Sequence, residues 1–186
     1  MYNLIFSNKI FIVCYLALIF ISCSNKYPQL QTVKNVNINK YLGTWYEIVR
    51  KPNRFEKDCK NVTANYSKEI DNIKENDKDK NIIKVINKCT KISTNKTSQA
   101  LGEAYNIDKT NSKLKVSFFW PFWGDYHIII LDKDYKYVVV GEPSREYLWI
   151  LARQKKLDKN IVDNILKKLK KEYKYNIKDI IYTIQE

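Results

Sequence analysis

Short segments in which apolar and polar residues alternate recur along the chain, and each of them predicts a β strand. The first segment follows Gly43, a residue that permits a tight turn or a positive φ. From this point the alternation predicts one strand with two faces, the first carrying Trp45, Glu47 and Val49 and the second carrying Tyr46, Ile48 and Arg50.

Seven further segments have strand-like patterns, at residues 62–67, 82–89, 102–107, 114–119, 126–131, 136–140 and 147–153. The polar residues 91–101 predict a strand combined with a loop, and the Lys/Asn-rich residues 68–80 predict a hairpin loop. Eight short strands at near-regular spacing are typical of an all-β fold, an eight-stranded antiparallel up-and-down barrel.

The C-terminal region has a helical pattern instead. Asp158 is a good N-cap residue. Behind it, apolar residues recur at helical spacing, namely Ile161, Val162, Ile165, Leu166, Leu169 and Tyr173. We expect this helix to pack on the outside of the barrel, with a helix lying on a membrane as the alternative. A short final strand at 180–184 and a helical turn at 38–41 complete the predicted elements.

Aromatic residues are concentrated between positions 118 and 126, where six occur within nine residues. Pro121 and Gly124 argue against a plain strand here, so the run is either a corner of the core or the apolar rim of a binding cavity. Phe55 is an isolated apolar residue in the polar loop 51–58. It either closes one end of such a cavity or anchors its loop.

The N-terminus has the features of a targeting segment. Lys9 precedes an uninterrupted apolar run of 12 residues, which suits a signal peptide and is short for a membrane span. The pair Ser22-Cys23 resembles the cleavage site of bacterial lipoproteins, so we predict a signal peptide at 1–22, a lipidated Cys23 and a tether at 23–37. An ordinary secretory signal is the alternative.

Composition and charge narrow the functional classes. The 186 residues suit one domain, with a formal net charge of +13. The lysines are scattered, and no arginine-rich cluster or zinc-finger spacing occurs, which disfavours nucleic acid. Cys14 lies in the segment to be removed and Cys23 is the candidate for lipidation. Cys59 and Cys89 are left, and they are expected to form one disulfide between antiparallel neighbouring strands. His127 is the only histidine, so no metal site is expected.

Three motifs together resemble the signatures of the lipocalins. They are Gly43-x-Trp45, Gly124-Asp125-Tyr126 and the segment 147–153, and the resemblance covers residues 38–186. The C-terminal helix and strand are similar to those of bacterial lipocalins related to apolipoprotein D and the plant temperature-induced lipocalins. The resemblance implies that Arg153 of this chain packs across Trp45 and that this contact closes the base of the barrel.

The resemblance implies a lipoprotein of the bacterial outer membrane, facing the periplasm, that binds fatty acids or lysophospholipids in its barrel. The expected ligand-binding residues are Phe55, Trp120, Phe122, Trp123, Tyr126, Ile128 and Trp149. Glu47, inside the barrel, is either a paired structural charge or a partner of the ligand head group. No cofactor is expected, and a homodimer is possible.

Two other functions remain open from the sequence. The barrel could be an enzyme acting on a lipophilic substrate, or a structural envelope protein with a filled interior. Two features argue against an enzyme. No cysteine is free after pairing, and His127 has no nucleophile pattern nearby. His127 also falls on the strand face opposite Tyr126 and Ile128. We therefore expect a binding protein.

Overall fold

The computed structural model describes residues 26–68 and 82–186. The predicted signal peptide, Cys23 and almost all of the predicted loop 68–80 lie outside the described residues. The described part of the chain contains nine strands, namely β1 Gly43–Arg50, β2 Cys59–Lys68, β3 Ile82–Lys91, β4 Thr97–Asn106, β5 Lys113–Phe119, β6 Phe122–Leu131, β7 Tyr137–Gly141, β8 Leu148–Ala152 and β9 Ile181–Tyr182. Two helices complete the fold, α1 Ile38–Tyr41 and α2 Lys159–Lys171.

The first eight strands form a closed antiparallel barrel. Each strand pairs with the next in the chain, β8 pairs with β1, and β1 also pairs with β2, which closes the sheet. The short β9 pairs with the end of β1. The predicted eight-stranded barrel with a helix and a short final strand is therefore confirmed.

Two strand boundaries differ from the prediction. Residues 91–101 and 102–107 were separate in the sequence pattern, but β4 runs without interruption from Thr97 to Asn106. Likewise β6 begins at Phe122, so Gly124 lies within a strand. Gly124 pairs with Val116 of β5 through its backbone, which needs no side chain, so a glycine here does not end the strand.

A bulge in β1 overturns the predicted alternation at its end. The pairing of β1 with β8 shifts by one residue between Glu47 and Val49. Val49 therefore joins the core outside the barrel, and Arg50 reaches the side chain of Glu47 inside it. The prediction that Val49 shares a face with Trp45 is wrong, because a bulge places two residues where regular pairing would place one.

Two apolar clusters hold the fold together. The inner cluster fills one half of the barrel and includes Trp45, Tyr66, Val85, Ile128 and Val140. The outer cluster lies between the barrel and α2, which buries its apolar face of Val162, Ile165, Leu166 and Leu169. The predicted placement of α2 outside the barrel is therefore confirmed.

The N-cap of α2 is also as predicted. Asp158 accepts hydrogen bonds from the backbone amides of Asn160 and Ile161 through Oδ1, which satisfies donors that the helix itself leaves open. Within the described residues, no helix is both long and apolar enough to cross a bilayer.

The disulfide predicted from the cysteine count is present. Cys59 and Cys89 are bonded, with their Cα atoms 5.5 Å apart, at the ends of the antiparallel neighbours β2 and β3. The bond ties the loop 51–58 to the barrel wall at its point of entry.

Candidate functional site

The two ends of the barrel differ in how completely they are closed. At one end, which we call the closed end, α1 and Trp45 cover the interior. At the other, which we call the open end, lie the loops at 51–58, 92–96, 120–121 and 142–147. The strands alternate in direction, so the end at which β1 finishes is the end at which β2 begins.

Arg153 fixes the closed end. Its guanidinium lies 3.7 Å from the centroid of the Trp45 ring. It also donates to four backbone carbonyls, those of Lys40, Tyr41, Leu42 and Thr44, at 2.7–3.0 Å. The indole of Trp45 in turn donates to the carbonyl of Tyr41 at 2.8 Å. Gly43 has φ +92°, a conformation that glycine adopts without strain.

Tyrosine hydroxyls form the floor of the interior above this plug. The hydroxyl of Tyr126 lies 2.6 Å from that of Tyr41 and 2.8 Å from that of Tyr66. Burial raises the pKa of Tyr66 to about 12 and also raises the pKa values of Tyr41 and Tyr126 well above their usual value. All three phenols therefore stay neutral, and Ile128 packs beside them in the inner cluster.

One inner wall rises from the floor with small side chains only. Ser98, Ala100 and Gly102 of β4 share a face with Ala104, which packs in the inner cluster. Ala104 is buried, whereas Ala100 and Ser98 are exposed although they face the interior. Both residues lie in the part of β4 that extends beyond its pairing with β5, which runs from Glu103 to Asn106, so the inward face of this segment is open to solvent at the open end. We call the interior between the floor and the open end the cup.

Aromatic rings form the opposite wall. The ring of Trp149 stacks on that of Tyr147, with centroids 5.9 Å apart and planes 9° apart. Phe55 continues the series towards solvent, 6.2 Å from Tyr147. The indole nitrogen of Trp149 donates to Oε2 of Glu56 at 2.9 Å, which orients the ring and joins this wall to the loop 51–58.

A charged cluster lies beside this wall. Nη1 of Arg50 donates to Oε1 of Glu47 at 2.7 Å, and Nη2 donates to the carbonyl of Glu56 at 3.0 Å. The hydroxyl of Thr183, which follows β9, also donates to Oε1 of Glu47. Both Glu47 and Arg50 are buried.

The charges of this cluster balance only when one of its two carboxyl groups is protonated. Burial raises the pKa of Glu47 to about 8, and the negative charge of Glu56 acts in the same direction. One guanidinium beside two carboxyl groups is neutral overall when one carboxyl is protonated. A protonated Glu47 is a hydrogen-bond donor, and hydrogen bonding to Glu56 is one of the causes that raise its pKa. Nε of Arg50 has no hydrogen-bond partner among the described residues, so the cluster retains one unpaired donor.

A cavity of about 460 Å³ reaches this cluster from the open end. It lies between the loop 51–58 and β9, and is lined by Arg50, Pro52, Asn53, Arg54, Glu56, Lys57, Asp58 and Ile181. Its lining is charged, unlike the wall formed by Trp149 and Tyr147.

The predicted ligand-binding residues fall into three places. Trp149 lies on the inner wall, Tyr126 and Ile128 lie in the floor, and Phe55, Trp120 and Phe122 lie at the open end. Trp123 is different, because its ring packs on Tyr105, with centroids 4.8 Å apart, on the outer face of the barrel. Its neighbour Gly124 takes the inner position opposite Val116, so we leave Trp123 out of the candidate site.

Several site residues were missed by the sequence patterns. The small residues Ser98, Ala100 and Gly102 occur at every second position of a segment that looked merely polar, and this spacing could have identified them. Glu56 carried no pattern of its own. A β carbon on Gly102 would lie 2.6 Å from the ring of Phe118, so the glycine makes room for that ring on the inner face.

His127 stands apart from the cup. It lies on the strand face opposite Tyr126 and Ile128, with Nε2 3.7 Å from Oδ1 of Asp125. Burial lowers the pKa of its imidazole. In residues 26–68 and 82–186, no group of three or more His, Cys, Asp or Glu side chains could hold a metal ion.

Comparison with known proteins agrees with this architecture. The family described as the lipocalin-like domain matches residues 36–185. The outer membrane lipoprotein Blc of Escherichia coli K12 is 37% identical over 153 residues, which cover 81% of each chain. Temperature-induced lipocalin-1 of Arabidopsis thaliana is 32% identical over 154 residues, 77% of each chain. Insecticyanin from the tobacco hornworm Manduca sexta shares the fold, with a TM-score of 0.62, 20% identity and 84% of each chain covered.

Proposed function

The chain belongs to the lipocalin family, and from that membership we propose that its cup binds the acyl chain of a fatty acid or lysophospholipid, for storage or transport in the bacterial envelope. Lipocalins bind lipophilic molecules inside the barrel, and eight strands give an interior wide enough for one small ligand. The family relationship supports a lipophilic ligand, and the shape of the cup supports an acyl chain.

The observation that carries the proposal is the accessible inner face of β4. Ala100 and Ser98 are exposed to solvent at the open end, across the barrel from the aromatic wall. Strand β4 rises about 3.3 Å per residue, so the six residue steps from the buried Ala104 in the floor to Ser98 at the open end span roughly 20 Å. A strand of this length suits an extended chain of methylene groups. Each one buried contributes about 0.8 kcal/mol before the cost of ordering the ligand.

The charged cluster supports a ligand with a polar head. Glu47, Arg50 and Glu56 lie beside the aromatic wall towards the open end, and Nε of Arg50 is a donor without a partner among the described residues. A carboxylate or phosphate could accept from Nε of Arg50, while the acyl chain enters the apolar cup. Glu47 thereby keeps its structural ion pair and still contributes to the environment of the head group.

The predicted localisation is confirmed by the bacterial relatives, which are named outer membrane lipoproteins. We extend this to a lipid anchor on Cys23, cleavage after residue 22 and a domain that faces the periplasm. More than one acyl chain at an N-terminal cysteine gives stable attachment, since each chain adds its own burial free energy.

A binding protein without catalysis fits the site better than an enzyme. Among residues 26–68 and 82–186, the groups that face the cup are neutral phenols, small side chains, the aromatic rings of Tyr147 and Trp149, and the charged cluster. None of them forms a nucleophile–base pair of the kind that covalent catalysis uses. The exposure of Ala100 on the inward side of β4 favours an accessible interior over a barrel that is filled throughout.

Native mass spectrometry of the protein purified from the bacterial envelope tests this function. We expect a species heavier than the lipidated chain by one bound lipid, which lipid extraction then identifies as a fatty acid or a lysophospholipid. Recovery of the empty chain alone, together with no uptake of added fatty acid, would contradict the proposal.

A further inference from the structure

We propose that the open end of the barrel docks directly on the lipid bilayer, with four aromatic residues inserted among the lipids. These residues, Phe55, Phe119, Trp120 and Phe122, are called the aromatic rim below. This proposal rests on the proposed function, because it specifies how a lipid would enter the cup.

The aromatic rim is unusually apolar for a protein surface. Trp120 is 80% exposed, Phe119 75%, Phe122 71% and Phe55 64%. Phe55 lies in the loop 51–58, and the other three lie at the turn from β5 to β6 at the same end of the barrel. The rings of Phe119 and Phe122 stack with centroids 6.2 Å apart. Soluble surfaces rarely display so many large apolar side chains together, and such patches mark sites of contact with proteins or membranes. Aromatic rings, and Trp in particular, are enriched where protein meets the lipid head groups.

The path of the N-terminal segment also indicates that the open end faces the membrane. Arg145, in the loop between β7 and β8 at the open end, donates to the carbonyl of Pro28 at 2.7 Å. Its guanidinium also lies 5.2 Å from the centroid of the Tyr27 ring. From there the chain descends the outside of the barrel, where the amide of Val33 donates to the carbonyl of Ile128, and reaches α1 at the closed end.

The anchor therefore begins beside the open end. Cys23 is four residues from Tyr27. Four residues span at most about 14 Å even when fully extended. With lipid attached at Cys23, the open end is held within that distance of the bilayer, whereas the closed end lies a barrel's length away. The tether alone thus favours the orientation in which the aromatic rim meets the lipids.

Charge favours a bilayer over a second copy of the chain. Exposed Arg54, Lys57 and Lys96 lie on the loops beside the aromatic rim. Each cation near an anionic membrane surface contributes about 1 kcal/mol of attraction. Two copies of a chain with net charge +13 repel one another instead. A docked rim would let an acyl chain pass from the bilayer to the cup without crossing water.

Quenching by brominated lipids tests the proposal on the protein as it exists. The lipid-anchored chain is reconstituted into vesicles of phosphatidylethanolamine and phosphatidylglycerol, with and without bromine on the acyl chains. Trp120 is one of four tryptophans, so we expect about a quarter of the emission to be quenched. Trp120→Phe should remove at least half of that quenching. Trp123→Phe, the matched control on the outer wall, should leave the quenched intensity unchanged.

Excess unbrominated fatty acid separates docking from ligand binding. The bilayer continues to quench Trp120 when the cup is occupied by this fatty acid. A brominated lipid in the cup is instead displaced by the fatty acid, and its quenching of Trp149 is lost. If excess fatty acid removes all of the quenching, and Trp120→Phe does not change the quenching, the docking proposal is overturned and the proposed function stands. Absence of any quenching would also overturn the docking proposal. So would a dimer in detergent that Trp120→Ser converts to a monomer, because the aromatic rim would then bind a second copy of the chain.

Discussion

The guanidinium of Arg153 lies flat over the indole of Trp45, 3.7 Å from its centroid, and bridges the last strand of the barrel to the first. Its donors also reach the carbonyls at the end of α1. One side chain therefore joins β8, β1 and the helix that covers the closed end. The residues are 108 positions apart in the chain, so this contact completes the closure of the fold.

Arg153→Ala should lower the free energy of unfolding by about 2–3 kcal/mol, since it removes a cation–π contact and leaves carbonyls without donors. Arg153→Lys should recover only part of this, because an ammonium lacks the planar fork of the guanidinium. Denaturant unfolding monitored by circular dichroism measures both. Equal stability of the lysine variant and the natural protein would show that charge alone is sufficient.

The disulfide should make a larger contribution. Replacing Cys59 and Cys89 together by Ala opens a loop with a sequence separation of 30 residues. The chain-entropy relation gives a loss of about 3–4 kcal/mol in the free energy of unfolding. The midpoint in urea, compared with and without reductant for the natural protein, measures the same quantity. A double variant as stable as the oxidised protein would contradict this account.

The sequence predicts the barrel well because its signals are local. Alternation along short segments identifies most strands, and the cap at Asp158 identifies the start of α2. The bulge after Glu47 could not be predicted, since it depends on pairing with β8 rather than on β1 itself. For the same reason the position of Arg50 inside the barrel was missed. Trp123 was placed on the wrong face of the wall because Gly124, not Trp123, occupies the inward position of β6.

The candidate site is less predictable than the fold. The large aromatic residues are easily recognised in the sequence, whereas the inward positions of β4 carry small residues, of which Gly102 makes room for the ring of Phe118 and Ala100 is exposed. Ala100 and Gly102 have no chemical signal individually, and only their shared face with Ala104 makes them informative. The pairing of Glu56 with Trp149 joins a loop to a strand 93 residues away, and no local pattern encodes it.

Filling the cup should abolish binding without harming the fold. Ala100→Trp places a large ring on the exposed inner face, and we expect the affinity for a fatty acid to fall at least tenfold while the free energy of unfolding stays within about 0.5 kcal/mol. Leu101→Trp is the matched control, because the neighbouring residue points to the outer face and is 55% exposed. Its affinity should equal that of the natural protein. Equal affinities in the two variants would place the ligand elsewhere.

The buried carboxyl of Glu47 should make stability depend on pH. Its pKa is raised to about 8 in the folded protein, mainly by burial, against about 4.3 for an unfolded glutamate. A raised pKa means that the folded state binds the proton more tightly, so stability is highest at low pH. It is lost as the pH rises from about 4 towards 8, by at most about 1.4 kcal/mol per pH unit.

Glu47→Gln should flatten this profile, because the amide cannot ionise. Denaturant unfolding at intervals from pH 5 to pH 8.5 measures the slope for both proteins. Glu146→Gln, an exposed glutamate at the same end, is the control and should follow the natural profile. Parallel curves for Glu47→Gln and the natural protein would show that the buried cluster does not take up a proton on folding.

The central claim is that an acyl chain lies in the cup against Trp149, and a brominated fatty acid tests it most directly. On titration into the natural protein, we expect saturable quenching of tryptophan emission at one ligand per chain. Most of this quenching should be lost in Trp149→Phe and retained in Trp123→Phe, whose indole lies outside the barrel. Quenching that does not saturate, or that survives Trp149→Phe undiminished, would contradict the claim.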